Sequence, residues 1–179
     1  MDTIITCSNG YSVIREIHGS NRSIVIIIDL DSVFLGIDSG TYTVKNSTEG
    51  LEGKSITING GDITIYATDD GVNAANKNAQ QSEIFFTMNG GNLTVEVGQG
   101  DTDPIDSNGN ITVNGGTIKM TGQSGFDFDG TATYTGGDIY LNGEKQTEIV
   151  NSMPGGEGAP GGGPQGNGGP GGGAPGGRP

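Results

Sequence analysis

A glycine followed by an alternating four-residue segment recurs along the chain: Gly40 then TYTV, Gly61 then DITI, Gly91 then NLTV, Gly116 then TIKM, Gly137 then DIYL. The successive spacings are 21, 30, 25 and 21 residues. Before four of these glycines comes a second alternating segment, Ser55 with ITI, Ile84 with FFTM, Asn110 with ITV and Thr131 with ATY, closed by NGG or TGG. Between the two lies a third short piece, Glu49 with GLE, Asp70 with GVN, Asp103 with PID and Ser124 with GFD. Segments this short cannot bury a face alone. Three of them per repeat of 20 to 30 residues must stack coil on coil.

The expected fold class is therefore all-β, a short parallel β-helix or solenoid. Its inward columns would be Tyr42/Ile63/Leu93/Ile118/Ile139 with Val44/Ile65/Val95/Met120/Leu141, then Leu51/Val72/Ile105/Phe126, then Ile56/Phe86/Ile111/Ala132 with Ile58/Met88/Val113/Tyr134. Nothing sustains a period of 3.6, and the β-branched residues favour strand over helix. Asn59, Asn89 and Asn114 form a further column, expected as a ladder of stacked amides at a turn.

Composition divides the chain into three parts. Residues 154–179 hold 14 of the 36 Gly and 6 of the 7 Pro, with no core-forming side chains, and are expected to be a disordered tail. Residues 37–153 carry the repeats. Residues 1–36 do not fit the repeat and are expected to be an N-terminal cap, with Ser23 to Asp29 as an added strand, or truncated first coils. Residues 74–82 lengthen one coil and read as a surface loop.

The net charge of −13, from 21 acidic and 8 basic residues, disfavours nucleic acid and anionic membrane as partners. No apolar run is long enough to span a bilayer, and no export signal is visible. The chain is expected to be a monomer. One cysteine, Cys7, permits no internal disulfide. One histidine, His18, lies outside the repeats, which leaves them without a Ser-His-Asp triad or a His-based zinc site.

The acids fall by column. Glu49, Asp70, Asp103 and Ser124 share one, and Glu52, Asn73, Asp106 and Asp127 share another three residues on, with Asp69, Asp101 and Asp129 at the same corner. Neighbouring rungs lie about 4.8 Å apart, where two like charges repel by about 0.9 kcal/mol in water and several-fold more in a lower dielectric. A Ca²⁺ ion takes oxygen ligands and turns that repulsion into coordination. The expected metal ligands are therefore Glu49, Glu52, Asp69, Asp70, Asn73, Asp101, Asp103, Asp106, Asp127 and Asp129. A solvated acidic face that keeps a repeat protein soluble is the alternative. Lys54, Lys77 and Lys119 are the basic side chains available to a carboxylate of a ligand.

The runs EGLEGKSITINGG, TDDGVNAANKN, FFTMNGGNLTV, GQGDTDPIDSNGNITVNGG and SGFDFDGT, followed by a Met-Pro-Gly-Gly tail, resemble a clostridial family of carbohydrate-binding domain-containing proteins over about residues 37–160. The resemblance implies a right-handed parallel β-helix like that of pectate lyases. It also implies a secreted or cell-surface protein that binds polygalacturonate, with calcium held on the rod by the acids named above. Binding without catalysis is the expected activity. A calcium-dependent polygalacturonate lyase, or an adhesin whose calcium only stiffens the rod, are the alternatives. A lyase needs a base beside the metal, and the repeats contain no arginine: Arg15, Arg22 and Arg178 lie outside them.

Overall fold

The structure is a computed structural model that describes residues 5–7, 34–100 and 102–152. The expected strand at 23–29 and the expected tail lie outside these residues. Among the described residues, sixteen strands in three sheets and one short 3-10 turn make up the regular structure.

Sheet A consists of β1 (Ile5–Cys7), β2 (Phe34–Ile37), β5 (Ser55–Ile58), β8 (Phe85–Met88), β11 (Asn110–Val113) and β14 (Ala132–Tyr134). Sheet B consists of β3 (Thr41–Ser47), β6 (Asp62–Ala67), β9 (Asn92–Val97), β12 (Thr117–Thr121), β15 (Asp138–Leu141) and β16 (Glu144–Gln146). Sheet C consists of β4 (Leu51–Gly53), β7 (Val72–Ala74), β10 (Ile105–Ser107) and β13 (Phe126–Phe128). From β2 to β15 the chain visits A, B and C in rotation, so hydrogen-bonded neighbours come from successive repeats and pair in parallel. This arrangement is all-β and compatible with a parallel β-helix.

Register follows side-chain period. Ile63 stands against Tyr42 and Leu93, Ile118 against Leu93 and Ile139, Ile105 against Val72 and Phe126, and Ile111 against Phe86 and Ala132. The inward columns are those read from the repeat. A one-residue slip would turn every buried aliphatic to solvent, so the alternation holds the coils in register. Phe86, Phe128 and the Ile/Leu/Val columns form one continuous core. A rung of parallel sheet also needs a sharp corner, which glycine supplies. At Gly91 φ is +82°, and an added Cβ would sit 2.6 Å from the Gly61 carbonyl oxygen.

Parallel pairing begins earlier than residue 37. Leu35 and Ile37 of β2 stand against Ile56 and Ile58 of β5, and β1 adds to β2 in antiparallel fashion. At the other end β15 and β16 form a hairpin through Asn142, whose φ is +52°, and Gly143. The Asn-Gly pair is a hairpin signal that repeat spacing alone does not reveal. A bridge from Phe126 to Asn151 extends sheet C by one residue. The lengthened coil after β7 carries exposed side chains and one 3-10 turn at Gln81–Glu83, where Glu83 Oε2 accepts from the Gln80 amide at 3.1 Å.

The outer faces differ in charge. Sheet A's strands contain no Asp, Glu, Lys, Arg or His. Sheet B mixes signs, with Asp62, Glu96 and Asp138 among Lys45, Lys119 and Lys145. Sheet C's strands carry acids alone, Glu52, Asp106 and Asp127.

Candidate functional site: the acidic face of sheet C

Each sheet C strand is three residues long, with outer residues buried and the middle one turned outward. Parallel register then stacks Glu52, Asn73, Asp106 and Asp127 in one column. Two residues before each strand's first buried residue stand Glu49, Asp70, Asp103 and Ser124. Backbone bonds hold their turns one above another, Gly50 N to Asp70 O and Gly71 N to Asp103 O at 3.0 Å each. In the second turn, an added Cβ at Gly71 would collide with Val95 Cγ1 and stand 2.7 Å from Pro104 O, so only glycine lets the acid-bearing corners approach this closely.

One hydrogen bond ties the two columns together, and others join the turn column from rung to rung. Asn73 donates from Nδ2 to Glu49 Oε2 at 3.0 Å, and the Asp103 amide donates to Asp70 Oδ1 at 2.9 Å. Asp103 Oδ1 accepts from the Ser124 hydroxyl and, at 3.0 Å, from Ser152 Oγ. Asn73 Oδ1 is buried and receives no hydrogen bond. A buried acceptor left without a donor costs about 1–3 kcal/mol.

The electrostatics are those of carboxylates crowded on a half-buried surface. Burial pushes Asp106 up to about 8, reinforced by the charges of Asp70, Asp127, Asp103 and Asp129. Asp70 rises to about 6, again chiefly through burial. The Asp103 amide lowers it, while Asp69, Asp103 and Glu49 raise it. Burial also raises Glu49, with Glu52 and Asp69 adding to the rise against the Asn73 bond. Each neutral carboxyl relieves its neighbours, and so would a cation.

Of the expected ligands, Glu49, Glu52, Asp69, Asp70, Asn73, Asp103, Asp106, Asp127 and Asp129 all belong to this face or its bordering turns, whereas Asp101 lies outside the described residues. The three lysines do not assemble there. Lys54 pairs with Glu83 at 3.9 Å, Lys77 sits in the lengthened coil, and Lys119 stands on sheet B between Thr94 and Tyr140. Lys145, which the repeat pattern does not single out, pairs with Asp138 across the terminal hairpin at 2.6 Å.

Among the described residues, no three His, Cys, Asp or Glu side chains are arranged to hold a metal ion. The donor chemistry nonetheless fits a hard cation. Carboxylates that resist ionising together share this face with a buried amide oxygen that has no donor, and calcium takes both kinds of oxygen.

The fold is all-β, with parallel-paired strands compatible with a β-helix, and sheet C displays an ordered polar column. The family model for carbohydrate-binding domain-containing proteins matches residues 30–153, and the chain belongs to that family. No curated protein and no solved structure matches it. Carbohydrate binding is thus the general function, with a polysaccharide as the partner. No helix among the described residues is long and apolar enough to cross a membrane.

Proposed function

We propose that the protein is a right-handed parallel β-helix that binds polygalacturonate through calcium held on the acidic face of sheet C, as a secreted or cell-surface monomer. The observation that carries this reading is the column Glu52–Asn73–Asp106–Asp127 with its donorless Asn73 oxygen. A chain of charge −13 repels a polyuronate unless cations stand between them. Calcium, when bound, would neutralise the column and offer open coordination positions to galacturonate carboxylates.

The chain's own residues divide the work. Asp106, Asp127 and Glu52 provide charged oxygens on successive rungs, and Asn73 and backbone carbonyls provide neutral ones. Asp70 and Glu49 frame the column from the turn, Asp70 held by the Asp103 amide and Glu49 by Asn73. The placement of the lysines favours binding over lyase chemistry, since Lys54 is engaged by Glu83 and Lys119 faces away.

Affinity electrophoresis through gels containing polygalacturonate tests the proposal. Retardation is expected with added calcium and lost after chelation; retardation undiminished in excess chelator overturns it.

A further inference from the structure

Asparagine followed by glycine recurs at five turns among the described residues: Asn59-Gly60, Asn89-Gly90, Asn108-Gly109, Asn114-Gly115 and Asn142-Gly143. Such a pair is chemically labile, because a glycine without Cβ lets its amide nitrogen approach the preceding side-chain carbonyl carbon. As sequence the five are alike; the fold separates them. Asn59, Asn89 and Asn114 each donate to one neighbour in their ladder and accept from another, every bond 2.8 Å long. Gly122 holds Asn142 twice, its amide donating to Asn142 Oδ1 at 3.2 Å and its carbonyl accepting from Nδ2 at 2.9 Å. Asn108 stands at the turn from sheet C to sheet A, exposed, with its backbone amide on Ala74 O at 2.9 Å. Among the described residues its side chain takes part in no hydrogen bond. The Gly109 amide donates to Ser107 Oγ at 3.2 Å, and that bond to a neutral hydroxyl is what must open before the nitrogen can react.

We propose that Asn108 is a self-modification site, deamidated in the folded protein by its own Gly109 nitrogen with water as the only co-reactant. Hydroxide takes the Gly109 amide proton, and the nitrogen forms a bond to Asn108 Cγ. The side-chain nitrogen leaves as ammonia, taking a proton from water, and a succinimide ring remains. Water then adds to either ring carbonyl, giving aspartate or isoaspartate. At the ladder positions and at Asn142 two side-chain bonds must open before the same attack, and each opened bond slows it. The product adds a carboxylate where the chain had an amide. Ser107 stands against Phe128, so residue 108 follows one rung from Asp129, and the modification lengthens the acidic edge of sheet C. The inference does not rest on the calcium reading.

Peptide mapping by mass spectrometry tests it on the full chain, incubated in chelator at mildly alkaline pH. Asn108 is expected to convert about fivefold or more faster than Asn59, Asn89, Asn114 or Asn142. Its aspartate and isoaspartate peptides should separate by elution. In denaturing urea, where every pair has lost its partners, the five rates should converge. Thr135→Val removes the exposed hydroxyl that donates to Asn114, so it should speed conversion at Asn114 and leave Asn108 unchanged. Conversion of Asn108 no faster than the other four in the folded chain, the same lead retained in urea, or an unchanged Asn114 rate in Thr135→Val overturns the proposal. Because the readout is the mass of each peptide and chelator is present throughout, its failure and the failure of calcium-dependent polygalacturonate binding are read separately.

Discussion

Asn73 spends its only amide donor group on Glu49, 3.0 Å away, and thereby aims a buried carbonyl oxygen at no donor. Without a metal ion that oxygen is a liability; under the proposed calcium binding it would serve as a ligand. In chelator, Asn73→Ala should change unfolding free energy by less than about 1 kcal/mol, because relief of the orphan acceptor offsets loss of the Glu49 bond. With calcium at about a hundred times its dissociation constant, the wild type should gain about 2.7 kcal/mol. Most of that gain should vanish in the variant. Thermal melts with and without calcium measure both; an equal calcium gain in Asn73→Ala would remove Asn73 from the site.

The raised acids make stability depend on pH in an unusual direction. Asp106 moves from the ordinary 3.8 to about 8, and Asp70 from 3.8 to about 6. Both bind protons more tightly folded than unfolded. Their favourable contribution is complete below the unfolded value and is lost as pH rises through the folded values. Denaturant unfolding in chelator should therefore show stability falling from the ordinary aspartate range up to about pH 8. Asp106→Asn should flatten the upper part of that fall. A stability that rises over the same interval would contradict the crowding described for this face.

A second column runs down the corner between sheets A and B. Asn59 donates to Asp38, Asn89 to Asn59 and Asn114 to Asn89, each at 2.8 Å, and Thr135 donates to Asn114 at 2.8 Å. All donors point the same way, toward the Asp38 carboxylate. Asn89→Ala removes two of these bonds at an exposed site and should cost about 1–2 kcal/mol in urea unfolding. Asn89→Asp should cost more at neutral pH than at acid pH, since an ionised carboxylate there faces the Asn59 oxygen.

Corner glycines should tolerate no side chain. Gly91→Ala combines a φ of +82° with a Cβ placed 2.6 Å from a backbone oxygen, and should destabilise by well over about 1 kcal/mol. Phe86→Ala, in the middle of the core, should cost about 3–5 kcal/mol. Gly143 is the informative contrast. Its φ of +85° is left-handed too, but an added Cβ meets nothing within 4 Å, so Gly143→Ala should cost less than Gly91→Ala. Equal losses would mean that backbone conformation alone, not rung contact, penalises the corners.

Much of this molecule is local and periodic, and so was legible without coordinates. Alternation assigns each strand residue to one side, and burial of Ile, Leu, Val and Phe admits one register, so the stacks Ile63–Leu93–Ile118 and Glu52–Asn73–Asp106–Asp127 follow from the repeat. The Asn59–Asn89–Asn114 ladder follows for the same reason. Tertiary structure decided what periodicity cannot express. Asp106 becomes the carboxyl pushed to about 8, because burial and the summed fields of four other acids depend on three-dimensional surroundings. Lys119 belongs to sheet B and Lys54 to a pair with Glu83, because the side of the coil on which a residue stands determines its neighbours. The opening strand β1 and the closing hairpin depart from the repeat, pairing antiparallel at the two ends. Sequence determined the columns; packing decided which of their members are buried, charged and free to bind.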